Sequence, residues 1–269
     1  MFEGRSRVPS VGTHVVSRDR DRANSMQHTP RQNAILAALP LDEYGRLLPN
    51  LEPVPLSPGW TVHRAGDQER YLYFITEGIV SRFYTTADGM SAENAATGSE
   101  GVVGVALFLG GESTLSEAVG VSPGYAYRLR ASVLQNEFEH RGALPHLLLR
   151  YTQALMTQTG QIATCNRHHS LKQRLSRWIL SCLDRLPANE LTMTHELIAR
   201  VLGVRREGVT EAAGKLQEAG LIHLSRGHIA VLDRPRLEAE ACECYAVVKR
   251  EYDRLLCLQD SPTQRRQKT

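Results

Sequence analysis

Thr194-His-Glu-Leu-Ile-Ala-Arg-Val-Leu-Gly-Val-Arg-Arg-Glu-Gly-Val-Thr-Glu-Ala-Ala-Gly-Lys-Leu216 carries two short helical patterns joined at a glycine. Two helices crossing near a right angle need a small residue where they meet, and Ala199 supplies one. The turn needs a residue that tolerates positive φ, and Gly203 stands four positions on. Ile198, Leu202, Val204 and Val209 give the apolar contacts, and Thr194 is placed to cap the first helix. The second helix, from about Arg206 to Ala219, turns Val209, Ala212, Ala213 and Leu216 inward. That leaves Arg205, Arg206, Glu207, Thr210, Glu211 and Lys215 outward, near the end that enters a major groove. Gly220 stops it. Leu221 to Leu224 and His228 to Leu232 then flank Ser225-Arg226-Gly227 as a β-hairpin wing, with Arg226 at its tip for a phosphate. A generic helical hairpin with a solvated charged face is the alternative, but it predicts no wing. The reading is a winged helix-turn-helix whose partner is double-stranded DNA.

Working outward, Leu171 to Leu186 is amphipathic and ends at Pro187-Ala188-Asn189. Before it, Leu144, Leu148, Tyr151, Leu155, Gln158, Ile162, Cys165 and His169 recur in steps of four and three. That average of about 3.5 residues is coiled-coil spacing, on a helix of about 26 residues and about 39 Å. The stripe is narrow, so Leu148, Tyr151, Leu155 and Ile162 are read as a homodimer seam, with Gln158 setting register; the alternative is that the helix is buried against its own barrel. Residues 54 to 131 change character to short β-type runs. They are divided by Pro58-Gly59, Gly66-Asp67, Glu77-Gly78, Asp88-Gly89, Gly110-Gly111 and Pro123-Gly124. This predicts a jelly roll or β-barrel.

The expected organisation is a disordered basic tail over 1–30, a β-roll over 31–142 and a dimerisation helix over 143–169. The winged helix-turn-helix follows over 170–235, and a C-terminal helix and tail over 236–269. The fold class is α+β.

Composition excludes several classes. The chain has 269 residues, net charge +3 and 42% hydrophobic residues, ordinary for a globular protein. No run approaches the ~18 apolar residues of a membrane span, and the start is charged throughout with no secretory signal. Five cysteines, all from Cys165 onward, make no disulfide framework and fit the reducing cytoplasm. Cys165-x-x-His168-His169 and Cys242-x-Cys244 lack four-ligand zinc spacing, and residues two apart on a helix point to different sides. No metal or cofactor is therefore expected. No nucleophile elbow, phosphate-binding loop, dinucleotide fingerprint or HExxH occurs, so an enzyme is not expected.

From about residue 32 to 235 the chain resembles the Crp/Fnr superfamily of bacterial regulators. The resemblance rests on Leu56-Ser-Pro-Gly-Trp-Thr-Val-His-Arg-Ala-Gly-Asp67, Tyr73-Phe-Ile-Thr-Glu-Gly-Ile-Val80 and Gly203-Val-Arg-Arg-Glu-Gly-Val209. It implies a cyclic-nucleotide-binding-type β-roll, a long dimer helix, a homodimer on a pseudo-palindromic operator, and RNA polymerase as a further partner. In the family the recognition helix commonly begins Arg-Glu with another Arg four residues on. Arg206 and Glu207 match, while Glu211 reverses the charge. Nucleotide-binding members carry a Gly-Glu-Leu-type turn and a nearby Arg; here the turn reads Gly104-Val105-Ala106, and Ser116 lies in a segment without Arg. No Lys or Arg occurs between Arg82 and Arg128. The pocket of Gly104, Val105 and Ser116 is thus expected to be degenerate, without a cation and near acidic residues. Control by cyclic AMP is not expected, and any small-molecule effector is unknown. The alternative is an effector-independent DNA-binding module regulated by a protein partner or by abundance. The N-terminal cysteines of an iron–sulfur sensor are absent.

Overall fold

The computed structural model describes residues 28–256; most of the expected basic tail, Cys257 and the polar C-terminal end lie outside them. Residues 28 to 30 of the expected tail are among the described residues. Tyr127 donates its hydroxyl to the His28 carbonyl at 2.7 Å, and the His28 ring stacks on Tyr125 with centroids 4.7 Å apart.

Helices α1 (Ala34–Ala37) and α2 (Leu41–Leu47) precede eight strands. These are β1 (Glu52–Leu56), β2 (Thr61–His63), β3 (Tyr71–Glu77), β4 (Val80–Thr85), β5 (Ser91–Thr97), β6 (Val102–Val103), β7 (Glu117–Gly120) and β8 (Gly124–Arg130). They form two four-stranded antiparallel sheets, ordered β1-β8-β3-β6 and β2-β7-β4-β5. This is the expected roll. Tyr71-Leu-Tyr-Phe-Ile-Thr-Glu77 is almost continuously apolar because both its faces are covered. Tyr73 and Ile75 meet Val80 and Ala118 of the other sheet, while Leu72 and Phe74 share a cluster with the helices.

After α3 (Ala106–Leu109) and α4 (Ala131–His140), α5 (Ala143–His168) matches the 26-residue reading. A carboxylate from far upstream starts it. Glu43 accepts the Ala143 amide at 2.8 and 2.9 Å and the Leu144 amide at 3.2 Å, pairing free donors where the helix dipole favours negative charge. Helix α6 (Leu171–Leu183) follows, its Ser170 and Gln173 forming a capping box. Then come β9 (Glu190–Thr192), α7 (His195–Leu202), α8 (Arg206–Glu218), β10 (Ile222–Ser225) and β11 (His228–Val231). The wing has three strands, ordered β10-β11-β9. Helices α9 (Arg234–Glu240) and α10 (Cys244–Leu256) complete the described chain.

The seam assignment is corrected here. Leu148, Tyr151, Leu155 and Ile162 are all at most 5% exposed within a single chain. Leu144, Leu148, Tyr151, Ala154 and Leu155 share one core with Leu72, Phe74 and Val102 of the roll and with Tyr252, Leu255 and Leu256 of α10. Tyr151 also donates to the Val102 carbonyl at 3.0 Å, and Gln158 accepts the Ala96 amide at 3.3 Å. Ala154 is buried with them and widens the stripe toward a core-packing face. The C-terminal helix supplies the cover that a partner was expected to give.

Candidate nucleic-acid interface and effector cavity

Thr194 accepts the Leu197 amide at 3.2 Å and begins α7. Gly203 ends it at φ +62°, and a Cβ there would stand 3.1 Å from that of Ala92 on β5. The glycine therefore serves both the turn and its close seat on the roll. Val204 donates to the Ala199 carbonyl at 3.0 Å, and Ile198, Ala199, Leu202, Val209, Ala213 and Leu216 are buried together. Arg205 stands at the N-cap of α8 and Arg206 opens it. Arg205, Arg206, Glu207, Thr210, Glu211, Lys215 and Arg226 are all exposed. Arg226 and Gly227 form the β10–β11 turn.

Three of these side chains are already engaged. Lys215 donates to Glu211 at 2.6 Å, and that bond holds the Glu211 carboxyl below the usual carboxylate range. The Thr210 hydroxyl donates to the Arg206 carbonyl at 3.1 Å and meets His195 Nδ1 at 3.0 Å. His195 was missed in the sequence, although its place at the start of α7, opposite α8, was readable.

The winged domain is seated on the roll through charge. Arg200 on α7 pairs with Glu117 on β7 and lies 4.1 Å over the Phe83 ring. Arg174 on α6 donates to the Leu202 carbonyl at the end of α7.

Between the two sheets lies a cavity lined by His63, Glu69, Arg82, Thr97, Gly104, Val105 and Thr114, with Leu155 of α5 among its walls. Gly104 holds φ +110°, and a Cβ there would meet the Tyr71 carbonyl at 2.7 Å. The expectation that this pocket lacks a cation is corrected. Arg82 on β4 lines it, donating to Asn94 at 3.2 Å. Ser116 does not line it; it is buried behind Thr114, with hydroxyls 3.0 Å apart. The acidic residues expected nearby, Asp88, Glu93, Glu100, Glu112 and Glu117, have partners elsewhere: Thr86, Ser81, Arg185, Gln68 and Arg200 in turn. The acid in the cavity is Glu69, 6% exposed, with His63 Nδ1 3.7 Å away. Burial pushes the Glu69 carboxyl up to about 7 and the His63 imidazole down. The space left for a water-sized molecule is only about 20 Å³.

The structure also brings together two sequence fragments whose spacing alone predicts no metal site. The donor atoms of Cys165, His169, Cys242 and Cys244 all lie within 4.8 Å of one another. The helical argument against Cys242-x-Cys244 fails because Cys242 precedes α10, in a turn closed by the Tyr245 amide to the Cys242 carbonyl at 3.1 Å. Both sulfurs thus reach one side. These residues could hold a metal ion.

Residues 53–141 match the cyclic nucleotide-binding domain and residues 173–240 the Crp-like helix-turn-helix domain. A global nitrogen regulator of Synechococcus elongatus is 25% identical over 186 residues, 65% of this chain and 83% of that protein. A CRP-like cAMP-activated global transcriptional regulator of Mycobacterium tuberculosis is 25% identical over 203 residues, 72% of this chain and 90% of that protein. FixK2 from Bradyrhizobium japonicum has a similar structure, with TM-score 0.63 and 17% identity over 71% of this chain and 98% of that one. A β-roll joined by a long helix to a winged helix-turn-helix defines a DNA-binding transcription regulator. The chain belongs to the Crp/Fnr family. Among the described residues no helix is long and apolar enough to cross a membrane.

Proposed function

We propose that the chain works as a homodimer that reads a two-fold-symmetric operator, one α8 per half-site, without control by cyclic AMP. The observation that carries the reading is the open first turn of α8. Arg205, Arg206 and Glu207 project from it, and Arg226 stands at the wing tip. Arg206 has the reach for guanine O6 and N7, Glu207 for cytosine N4, and Arg205 and Arg226 for phosphates. Such work belongs in the cytoplasm, with RNA polymerase as the partner a promoter-bound regulator meets.

For the dimer, the outer face of α5 replaces the buried stripe. Leu149 and Met156 are 51% and 70% exposed, and with Ala163 they stand seven residues apart along the helix, the repeat of a two-helix seam.

Cyclic AMP independence is supported by the cavity. About 20 Å³ admits a single water, and Arg82 shares that space with the Glu69 carboxyl. The same closure favours the second reading, in which a protein partner or abundance sets activity. Selection of bound sequences from a random DNA pool tests the first reading: an inverted repeat supports it, and no enrichment refutes it. Calorimetry showing cyclic AMP binding at micromolar concentration, with a matching gain in DNA affinity, would remove the claim of independence.

A further inference from the structure

Cys165 stands in the last turn of α5, and His169 follows that helix directly, one of two residues before α6. Cys242 comes from the turn between α9 and α10 and Cys244 opens α10, about a quarter of the chain further on. The three cysteines are at most 4% exposed and form a cluster of their own, apart from the hydrophobic cores. Cys165 Sγ lies 3.4 Å from Cys242 Sγ, and Cys244 Sγ lies 3.6 Å from His169 Nδ1. A tetrahedral ion with bonds of about 2.3 Å to sulfur and about 2.0 Å to nitrogen sets edges of roughly 3.5–3.8 Å. These two spacings are close to that size, and all four donor atoms lie within 4.8 Å of one another. They are too long for a disulfide, whose sulfurs stand about 2.05 Å apart.

The surroundings fit as well. His169 turns Nδ1 to the cluster and Nε2 to the Glu243 carboxylate at 3.4 Å, the outer-shell partner that fixes a ligating imidazole. Three thiolates and an imidazole around a divalent ion leave one net negative charge. The Arg177 guanidinium, 7% exposed and near Cys165, is placed to balance it. Soft sulfur donors with one imidazole, four in number, match zinc and not a hard cation.

We propose that Cys165, His169, Cys242 and Cys244 form a Cys3His zinc site that fastens the C-terminal extension to the linker between the long helix and the DNA-binding domain. Binding replaces the three thiol protons, which leave to solvent, with Zn–S bonds. The ion thereby fixes the start of α6, whose partners include α8 and the Leu202 carbonyl. The Lys172–Glu240 pair at 2.6 Å holds the same two segments together from outside.

The test uses the full chain, reduced and stripped of metal, titrated with Co2+ alone and then with Zn2+. One equivalent of Co2+ should give the intense visible absorption and sulfur charge transfer of a tetrahedral thiolate site, bleached by Zn2+. Cys242→Ser and Cys244→Ser should each weaken Zn2+ binding by more than about 100-fold, beyond the usual cost of an outer-shell change. Since either variant can misfold, Glu243→Gln provides the second measurement. It leaves all four ligands in place and should lower affinity about 10–100-fold while circular dichroism is unchanged. A reduced, folded wild type that takes up no Co2+ overturns the proposal. So does a protein isolated with a Cys165–Cys242 disulfide and no zinc, or one isolated with iron and acid-labile sulfide in place of zinc.

Discussion

Arg185 donates its Nε to Glu100 at 2.8 Å, joining the segment after α6 to the β5–β6 loop with side chains only 9% and 11% exposed. Arg185 also donates to the Ser181 carbonyl at 2.8 Å, while Glu100 accepts the Gly98 amide at 3.1 Å. Every strong group in this contact is partnered. Removing one member leaves a buried charge without compensation, which costs about 3–5 kcal/mol. Glu100→Ala should lose that much in urea unfolding at fixed protein concentration, and Glu100→Met with Arg185→Met together should lose less than either alone. A loss below about 1 kcal/mol for Glu100→Ala, the range of an exposed pair, would show that Arg185 regains water.

Glu69 predicts a pH dependence. Its carboxyl is raised from 4.5 to about 7 by burial, so between those values the folded chain holds a proton that the unfolded chain releases. Stability from this group therefore falls as pH rises through that window, by up to about 3 kcal/mol. The lowered His63 works in the opposite sense below its ordinary value, and Arg82 moderates the Glu69 shift. Glu69→Gln removes the carboxyl and keeps its shape. The variant should gain on the wild type from pH 5 to about pH 7 and level off above it; parallel unfolding curves across that range would show that Glu69 stays ionised.

The dimer face is tested by paired substitutions. Leu149→Glu with Met156→Glu should give folded monomers with much weaker operator binding. Leu155→Glu should instead unfold the protein, since Leu155 is 5% exposed inside one chain. Sedimentation and circular dichroism separate the two cases. A dimeric Leu149/Met156 variant would place the interface elsewhere.

How much of this was legible follows from how local each signal is. The helix-turn-helix was readable because Thr194, Ala199 and Gly203 act on neighbours within a few residues. The extent of α5 was readable for the same reason. Which face of α5 turns inward was not, because Tyr252 and Leu255 of α10 decide it from a distant segment. Arg82 could have been found: strand alternation puts it on the side of Val80, and both line the cavity. The pairing of Cys165 and His169, one helical turn apart, was also visible. Their meeting with Cys242 and Cys244 was not, since only the packing of α9 and α10 creates it.

The recognition helix gives the last test. Glu211 stands where the family commonly has an arginine, and here it pairs with Lys215 at 2.6 Å. The two side chains are 70% and 57% exposed, so the pair itself is weak and can open when DNA approaches. On the proposed reading, a freed Glu211 should accept from cytosine N4 and repel the guanine edge that an arginine would seek. Arg206→Ala should cost about 1–3 kcal/mol in operator affinity and relax one base pair per half-site. Glu211→Arg should change the preferred base at its own position and raise non-specific affinity through added positive charge. Lys215→Ala should weaken binding evenly across sequences and leave the preference intact. Sequence preferences selected with each variant decide the matter. If wild type and Glu211→Arg select the same operator, Glu211 touches no base, and its bond to Lys215 is its whole role.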